Sequence, residues 1–408
     1  MSYVIEPFHA VVGARKARRK RAHLDFEEFQ RADRESGGGG LGALKLALDR
    51  ERDAHERLSK AIAHAEATYA DEGEVKALKR KKLRAKDAAA ALEREIEAAE
   101  RARAIGEGSY GRVYRGKCAI TGEEVAVKVE DETEGESALE REFEAQRTAY
   151  ASDHRCFPRV RYFGRQNVMG RRSRVMVMDL LSSSLEELSF IVSDGSGFSR
   201  STVLRVAEWV IRALRACHRA GVVHGDIKPD NLLVELHDGA SRRDGIKLVD
   251  FGEAIIWDEA YIKTLDRVVP PERWSGTAMF SSANVDLGCA RAPRDDLLSA
   301  IYCLAYLRTG RLPWTSKLEG DIDVRELGLT KQAVVTGAAL LTPNGKCDVP
   351  DEYIADVQWF DAALTYALKL KIDEIPDYAY LCALTSSALA EFGTAPPPYD
   401  WDIDDPHA

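Results

Sequence analysis

Residues 222–231 read VVHGDIKPDN and set an acid (Asp226), an ammonium (Lys228) and an amide (Asn231) within six positions. Pro229 lacks a backbone N–H and obstructs the turn before it. The stretch therefore reads as a short loop between a helix at about 201–220 and a strand at about 231–236. Loops held by rigid flanks are where reactive groups concentrate. A carboxylate so placed can take the proton of a hydroxyl. An ammonium beside it can stabilise an anionic group in transfer. Amide and carboxylate oxygens suit a hard cation, and a further carboxylate, Asp250 in KLVDFGEA, follows nineteen residues after Asn231.

A second group of residues suits phosphate. IGEGSYGRVY (105–114) carries Gly106, Gly108 and Gly111 in a G-x-G-x-x-G-x-V pattern. Without a Cβ, glycines let backbone N–H groups approach phosphate oxygens. The same spacing serves dinucleotide-binding turns, but those lead into a helix. Here RVYRGKCAITGEEVAVKV follows, with β-branched alternation around the turn signal TGE. The glycines thus belong to a hairpin that folds over a nucleotide as a flap. Its second strand, VAVK (125–128), carries Lys128 among apolar neighbours, so the ammonium faces one side. There it can neutralise phosphate, and it needs a carboxylate to hold it. Glu144, in ALEREFEAQRTAY, is the preferred partner; Glu140 and Glu142 are the alternatives.

The elements that must position these groups begin at residue 105, where the composition changes. Strand-like segments occur at 111–120, 123–130, 159–164 and 173–179, with a helical stretch at about 137–150. After residue 184 the chain reads mostly helical, with the hairpin-like pair NLLVEL and IKLVDF inserted. The expected class is α+β, a small β-rich lobe followed by a larger α-helical lobe. Ahead of it, residues 1–40 read as a largely disordered basic start, with ARKARRKRAH (14–23) and SGGGG (36–40). The basic run is a solvated charged stretch or a signal for nuclear import or an anionic surface. Residues 41–100 hold strong helix formers and no Pro. A break near Gly73 predicts helices at 43–70 and 74–100. The seam Leu58, Ile62, Ala65, Tyr69 does not continue cleanly, which favours a helical arm or hairpin over a long coiled coil. Self-association or partner binding through this arm is a further expectation. The domain proper spans 101–391, and 392–408 form an acidic, Pro-rich tail expected to be loose.

Composition bounds the rest. The chain has 408 residues, 45% hydrophobic and 31% charged, enough for two or three cores. No apolar run reaches the roughly 18 residues of a membrane span, so no membrane partner is expected. The N-terminus lacks the layout of a signal peptide. The cysteines (118, 156, 217, 289, 303, 347, 382) show no metal-like spacing, as in a reduced protein of the cytoplasm, the nucleus or both. Net charge is −9; residues 1–104 hold 23 Lys/Arg against 19 Asp/Glu, and the rest holds 35 against 48. An acidic body argues against nucleic acid as the main partner.

A Gly-rich loop, a strand Lys, H-x-D-x-K-x-x-N and D-F-G in this order resemble the protein-kinase signature set. Four further stretches resemble the casein kinase 1 group, which includes the tau-tubulin and vaccinia-related kinases: VMVMDLLSSSLEEL (175–188), SGTAMFSSAN (275–284), RDDLLSAIYCLAYLRTGRLPW (294–314) and IDEIPDYAYLCAL (372–384). The resemblance covers about 105–390. It implies a bilobal kinase fold, ATP and Mg²⁺ as cofactors, and protein substrates with Ser or Thr. It also implies roles. Asp226 is the catalytic base, Lys228 stabilises the transferring phosphoryl group, and Thr277 bonds both. Asn231 and Asp250 hold Mg²⁺. Met178 is the gatekeeper behind the adenine, Asp179 to Leu181 form the hinge, and Ile105, Val113 and Ala126 join the glycines, Lys128 and Glu144 as nucleotide-binding positions. Asp296 braces the catalytic loop.

Three departures qualify the likeness. Gly225 replaces the Arg of HRD, which normally pairs with a phosphorylated activation loop, so activity is expected not to need that phosphate. Met279 replaces the Arg of GTAR, which helps that group bind a phosphate or acidic side chain on the substrate. The loop TSKLEGDIDVREL is acidic where the group's is basic. The last two predict a reduced preference for acidic or primed substrates. The alternative reading is a pseudokinase scaffold that binds ATP and partners through the arm; the presence of Lys128, Asp226, Asn231 and Asp250 weighs against it.

Overall fold

The computed structural model describes residues 3–5, 41–68, 72–101, 106–108, 111–118, 121–132, 136–168, 171–236, 245–270, 274–318, 322–342, 345, 348–393 and 397–402. The chain divides into two compact units, one of residues 1–133 with 162–178, the other of 134–161 with 179–408. In the smaller unit, β1 (Tyr3–Ile5), β2 (Gly106–Gly108), β3 (Gly111–Cys118), β4 (Glu124–Asp131), β5 (Val160–Val168) and β6 (Arg171–Asp179) form an antiparallel-paired sheet in the order β1-β3-β4-β6-β5, with β2 also on β3. Alternation sorts the side chains. Tyr114, Val125, Val127 and Val129 pack with Val168, Val175 and Val177 in one apolar cluster. Their neighbours Ala126, Lys128, Met176 and Met178 therefore point to the opposite face, as period-2 geometry requires, and all four are buried. The start of the chain is not wholly without structure: Tyr3–Ile5 pairs with Cys118 to Gly116 as an edge strand. Positions 6–40, with the basic run, lie outside the described residues.

Before the sheet, α1 (Leu41–Ala67) and α2 (Glu72–Arg101) form a helical hairpin. The break falls earlier than expected, and Gly73 sits in the first turn of α2. Ile62 and Ala65 of the predicted seam are buried, together with Leu48 and Ala85; Leu58 is half-buried and Tyr69 lies outside the described residues. Alanine fills much of this interface, so it is thin.

The larger unit is built on two buried helices. α5 (Arg200–Arg219), preceded by α3 (Ala138–Ser152) and α4 (Leu185–Ser193), starts at a Ser199 cap and buries Val203, Val206, Ala207, Val210, Leu214 and Cys217 at helical spacing. α8 (Pro293–Thr309), preceded by the short helices α6 (Glu259–Ile262) and α7 (Ala283–Asp286), is apolar nearly all round, as suits a helix inside a core. Pro at its first position and Gly310 at φ 70° after its end mark its limits. α9 (Val324–Gln332), α10 (Gly337–Leu340), α11 (Ile354–Lys369) and α12 (Tyr378–Ala390) complete the unit. α3 belongs here and not with the sheet, because Ala145 and Ala149 join the core of α5 and α8. The tail is also docked where it is described. Asp400 accepts from the Ser199 backbone N–H and hydroxyl, each at 2.6 Å, and from the Thr202 hydroxyl at 3.0 Å. Trp401 meets Phe198 edge-on, and Arg205 lies 3.4 Å from the Tyr399 ring centroid. A carboxylate that takes the Ser199 N–H and the Ser199 and Thr202 hydroxyls at the start of α5 is what holds this segment, where composition predicts a loose one.

Candidate active site

Three short strands set up the catalytic loop: β7 (Val222–Val223), β8 (Leu232–Val234) and β9 (Ile246–Leu248). β7 pairs with β10 (Ile255–Ile256), and β8 pairs with β9 through Leu232 opposite Leu248. Between β7 and β8 the loop is bolted from below by Asp296. Its carboxylate accepts the backbone N–H groups of His224 at 2.7 Å and Gly225 at 2.8 Å, and sits 3.0 Å from His218 Nε2. Burial by itself raises this carboxyl's pKa, but hydrogen bonding and charge from His218, with the loop N–H groups, outweigh it and hold it below the usual value. The His224 ring reaches the Val249 carbonyl at 3.0 Å and packs edge-on to Phe251.

Above this support, four of the sequence-predicted residues come together. The Thr277 hydroxyl donates to Asp226 Oδ1 at 2.7 Å and accepts from Lys228 Nζ at 3.0 Å. Lys228 Nζ is 2.8 Å from Asp226 Oδ2. The Asn231 amide N–H₂ donates to the Asp226 carbonyl at 2.9 Å and to Oδ2 at 3.3 Å. Asp226 is thus fixed in position by a hydroxyl, an ammonium and an amide. With its nitrogen committed there, Asn231 turns its amide oxygen away from Asp226.

Asp250 is placed through the backbone. The Val249 N–H donates to the Asn231 carbonyl at 3.0 Å, so Asp250 follows directly from the β8–β9 pairing. It adopts φ 64°, ψ 78°, a left-handed conformation uncommon for a residue with a Cβ. Such a position costs on the order of 1–3 kcal/mol and recurs where function needs it. An amide oxygen and a carboxylate are hard donors. Two such protein ligands would leave room for water and phosphate oxygens, which is how Mg²⁺ is commonly held.

In the smaller unit, Gly106 pairs with Val113 and Gly108 with Gly111 across a tight β2–β3 turn, and Val113 pairs in turn with Lys128. Gly111 has φ 153°, and a Cβ there would lie 2.6 Å from the Val129 carbonyl oxygen. Ala126 and Lys128 share the face described above. Ile105 lies outside the described residues. Met178 is buried in the sheet. Asp179 uses its carboxylate on the Arg159 N–H and on Arg161 Nε at 2.7 Å, and Leu181 is half-buried beyond it.

The choice of Glu144 needs correction. α3 buries Leu139, Glu142, Ala145, Gln146 and Ala149. Glu144 falls off that stripe, is half-exposed, and pairs with Arg147. The buried carboxylate is Glu142, 1% exposed.

Two clusters escaped the motifs. Arg291 bridges Glu253 and Ser275. Lys331, wholly buried, donates to the carbonyls of Ala278 at 2.6 Å and Ser281 at 2.8 Å and to Asp286 at 2.7 Å. A basic residue opposite an acidic one forty or so positions away gives no local pattern, so no signal in the sequence marks either cluster.

Residues 99–337 match the family described as Protein kinase domain. The chain is 30% identical over 302 residues to casein kinase I homolog 2 of Schizosaccharomyces pombe; the matched stretch is 73% of this chain and 64% of that protein. It therefore spans a little under two thirds of the length of that relative.

Proposed function

Because the chain belongs to the protein kinase domain family, we propose that it is an active serine/threonine kinase, similar to the casein kinase 1 group, that moves the γ-phosphoryl group of ATP to protein hydroxyls. The observation that carries this reading is the Thr277 hydroxyl shared between Asp226 and Lys228. Asp226 then orients the acceptor hydroxyl and takes its proton, and Lys228 stabilises the charge in transfer. Asn231 and Asp250 would hold Mg²⁺, which supplies charge neutralisation on the phosphates. Lys128 and the N–H groups of the glycine hairpin bind phosphate oxygens, and Asp179 to Leu181 supply the backbone for the base.

Substrate choice follows from Met279. Its carbonyl accepts from Trp314 Nε1 at 2.8 Å, and the nearby cation, Lys331, is buried against Asp286 and backbone carbonyls. Neither is open to a substrate phosphate, which supports a weak preference for primed or acidic sites. Labelling of a generic protein acceptor with ATP and Mg²⁺, by wild type and Asp226→Asn, tests the activity; equal labelling by the two sinks it. A phosphoacceptor peptide array tests the preference, and strong selection for upstream phosphoserine or Asp/Glu would refute it.

A further inference from the structure

Arg291 stands two positions before α8, outside every motif. Its side chain is 13% exposed, as is that of Glu253. Nη1 donates to the Glu253 carboxylate at 2.9 Å. Nη2 donates to the Ser275 carbonyl and, at 3.1 Å, to the Ser275 hydroxyl, which itself donates to Glu253. Both segments so gripped lead straight to reacting groups. Glu253 is three residues after Asp250. Ser275 is two residues before Thr277, whose hydroxyl meets Asp226.

Two glycines make the room for this. Gly225 has φ 80°, and a Cβ there would lie 2.7 Å from the Glu253 carbonyl oxygen and 3.2 Å from Arg291 Nη1. Gly276 has φ 98°, and a Cβ there would lie 3.0 Å from Arg291 Nη2. The guanidinium therefore sits beside the backbone position from which the loop Arg of HRD would start.

We propose that Arg291 is a positioning residue for phosphoryl transfer. Its guanidinium ties the two ends of the 250–277 segment to each other through Glu253 and Ser275, beside the catalytic loop at Gly225, with the Glu253 carboxylate in the role a phosphate fills elsewhere. The planar fork suits this, because it serves a carboxylate and a carbonyl at once where an ammonium offers a single point charge. The proposal rests on the kinase reading for its reaction but not for its geometry.

The test uses full-length protein and the variants Arg291→Met, Glu253→Leu, the double variant and Arg291→Lys. Two readouts are taken: steady-state kinetics, and amide hydrogen exchange over 252–258 and 274–280. Loss of a partly buried charged partner predicts a kcat lower by about 30-fold or more in either single variant, with the KM for ATP within about threefold. The double variant is expected to fall no more than about threefold below either single one, because the two act as a unit. Arg291→Lys restores only part of the rate, and exchange in both peptides speeds up in Arg291→Met. Near-wild-type kcat in Arg291→Met overturns the proposal, as do losses that multiply in the double variant, or unchanged exchange alongside lost activity. If Arg291→Met does not fold, Glu253→Leu and Arg291→Lys are held to the same two criteria, a lowered kcat and faster exchange, and wild-type behaviour in both overturns the proposal. A wild type that transfers no phosphate, yet whose exchange responds to the substitutions, overturns the kinase reading and supports the clamp.

Discussion

A single hydroxyl at Thr277 ties Asp226 to Lys228, so its removal is expected to loosen both without emptying a cavity. Thr277→Ala should lower kcat by roughly 10- to 100-fold while the KM for ATP stays near wild type, and Thr277→Ser should recover most of the rate; steady-state kinetics with ATP and a peptide check it. Lys331 offers a second residue-level test. Burial brings its ammonium down to about 8 from 10.5, against the opposing pull of Asp286. Because the folded pKa is the lower one, the unfolded chain holds the extra proton between about pH 8 and 10.5. Stability from this group therefore rises with pH across that window. Anchoring of the Ala278–Ser281 segment runs the other way and weakens as the ammonium neutralises. The peptide KM should rise above about pH 8, and that limb should vanish in Lys331→Met/Asp286→Leu. Lys331→Met alone leaves a buried carboxylate unpaired and should cost about 3–5 kcal/mol, most of it regained in the double variant. Denaturant titration measures both.

At the scale of elements, the residues easiest to read from sequence are those a contiguous loop or hairpin carries. Asp226, Lys228 and Asn231 share six positions and one loop, so their order alone brings them together; Thr277 joins them from a distant segment, and only the motif resemblance marks it. The β3–β4 alternation likewise fixes the face of Lys128. Helix phase is harder. The motif asks for a carboxylate on α3, and three candidates lie within five residues; only the buried stripe from Leu139 to Ala149 distinguishes Glu142 from Glu144. That stripe is present in the sequence, but its apolar members are few and partly alanine. The β2–β3 turn makes its own prediction. Gly111→Ala places a methyl against the Val129 carbonyl at a φ that disfavours any side chain. The strain should cost about 1–3 kcal/mol and lower the melting temperature by a few degrees, and the KM for ATP should rise by about tenfold; nucleotide titration and a thermal melt measure the two effects.

For the molecule as a whole, the least legible features are contacts between distant segments. Asp400 docks on the start of α5 from about 200 residues away, and the acidic, Pro-rich composition around it reads as solvent-facing. Asp400→Ala should cost about 1–2 kcal/mol, the usual worth of hydrogen bonds to a charged group near the surface, and lower the melting temperature by a few degrees without changing kcat; calorimetry with an activity assay checks both. The Arg291 cluster escapes for the same reason, since its members at 253, 275 and 291 have no common spacing.

The empty Cβ position at residue 225 also bears on redesign. Introducing the Arg of the commoner HRD pattern is an obvious step in engineering, yet here its side chain has no room. Gly225→Arg would drive a side chain into the Glu253 carbonyl and the Arg291 fork from a backbone that only glycine adopts with ease, so the substitution is expected to impair the proposed phosphoryl transfer. Changing the side chains at 253 and 291 would clear the guanidinium but leave the Glu253 carbonyl and the φ of 80°, so Gly225→Arg is expected to stay impaired even together with Glu253→Leu and Arg291→Met, which activity assays of the single and triple variants check.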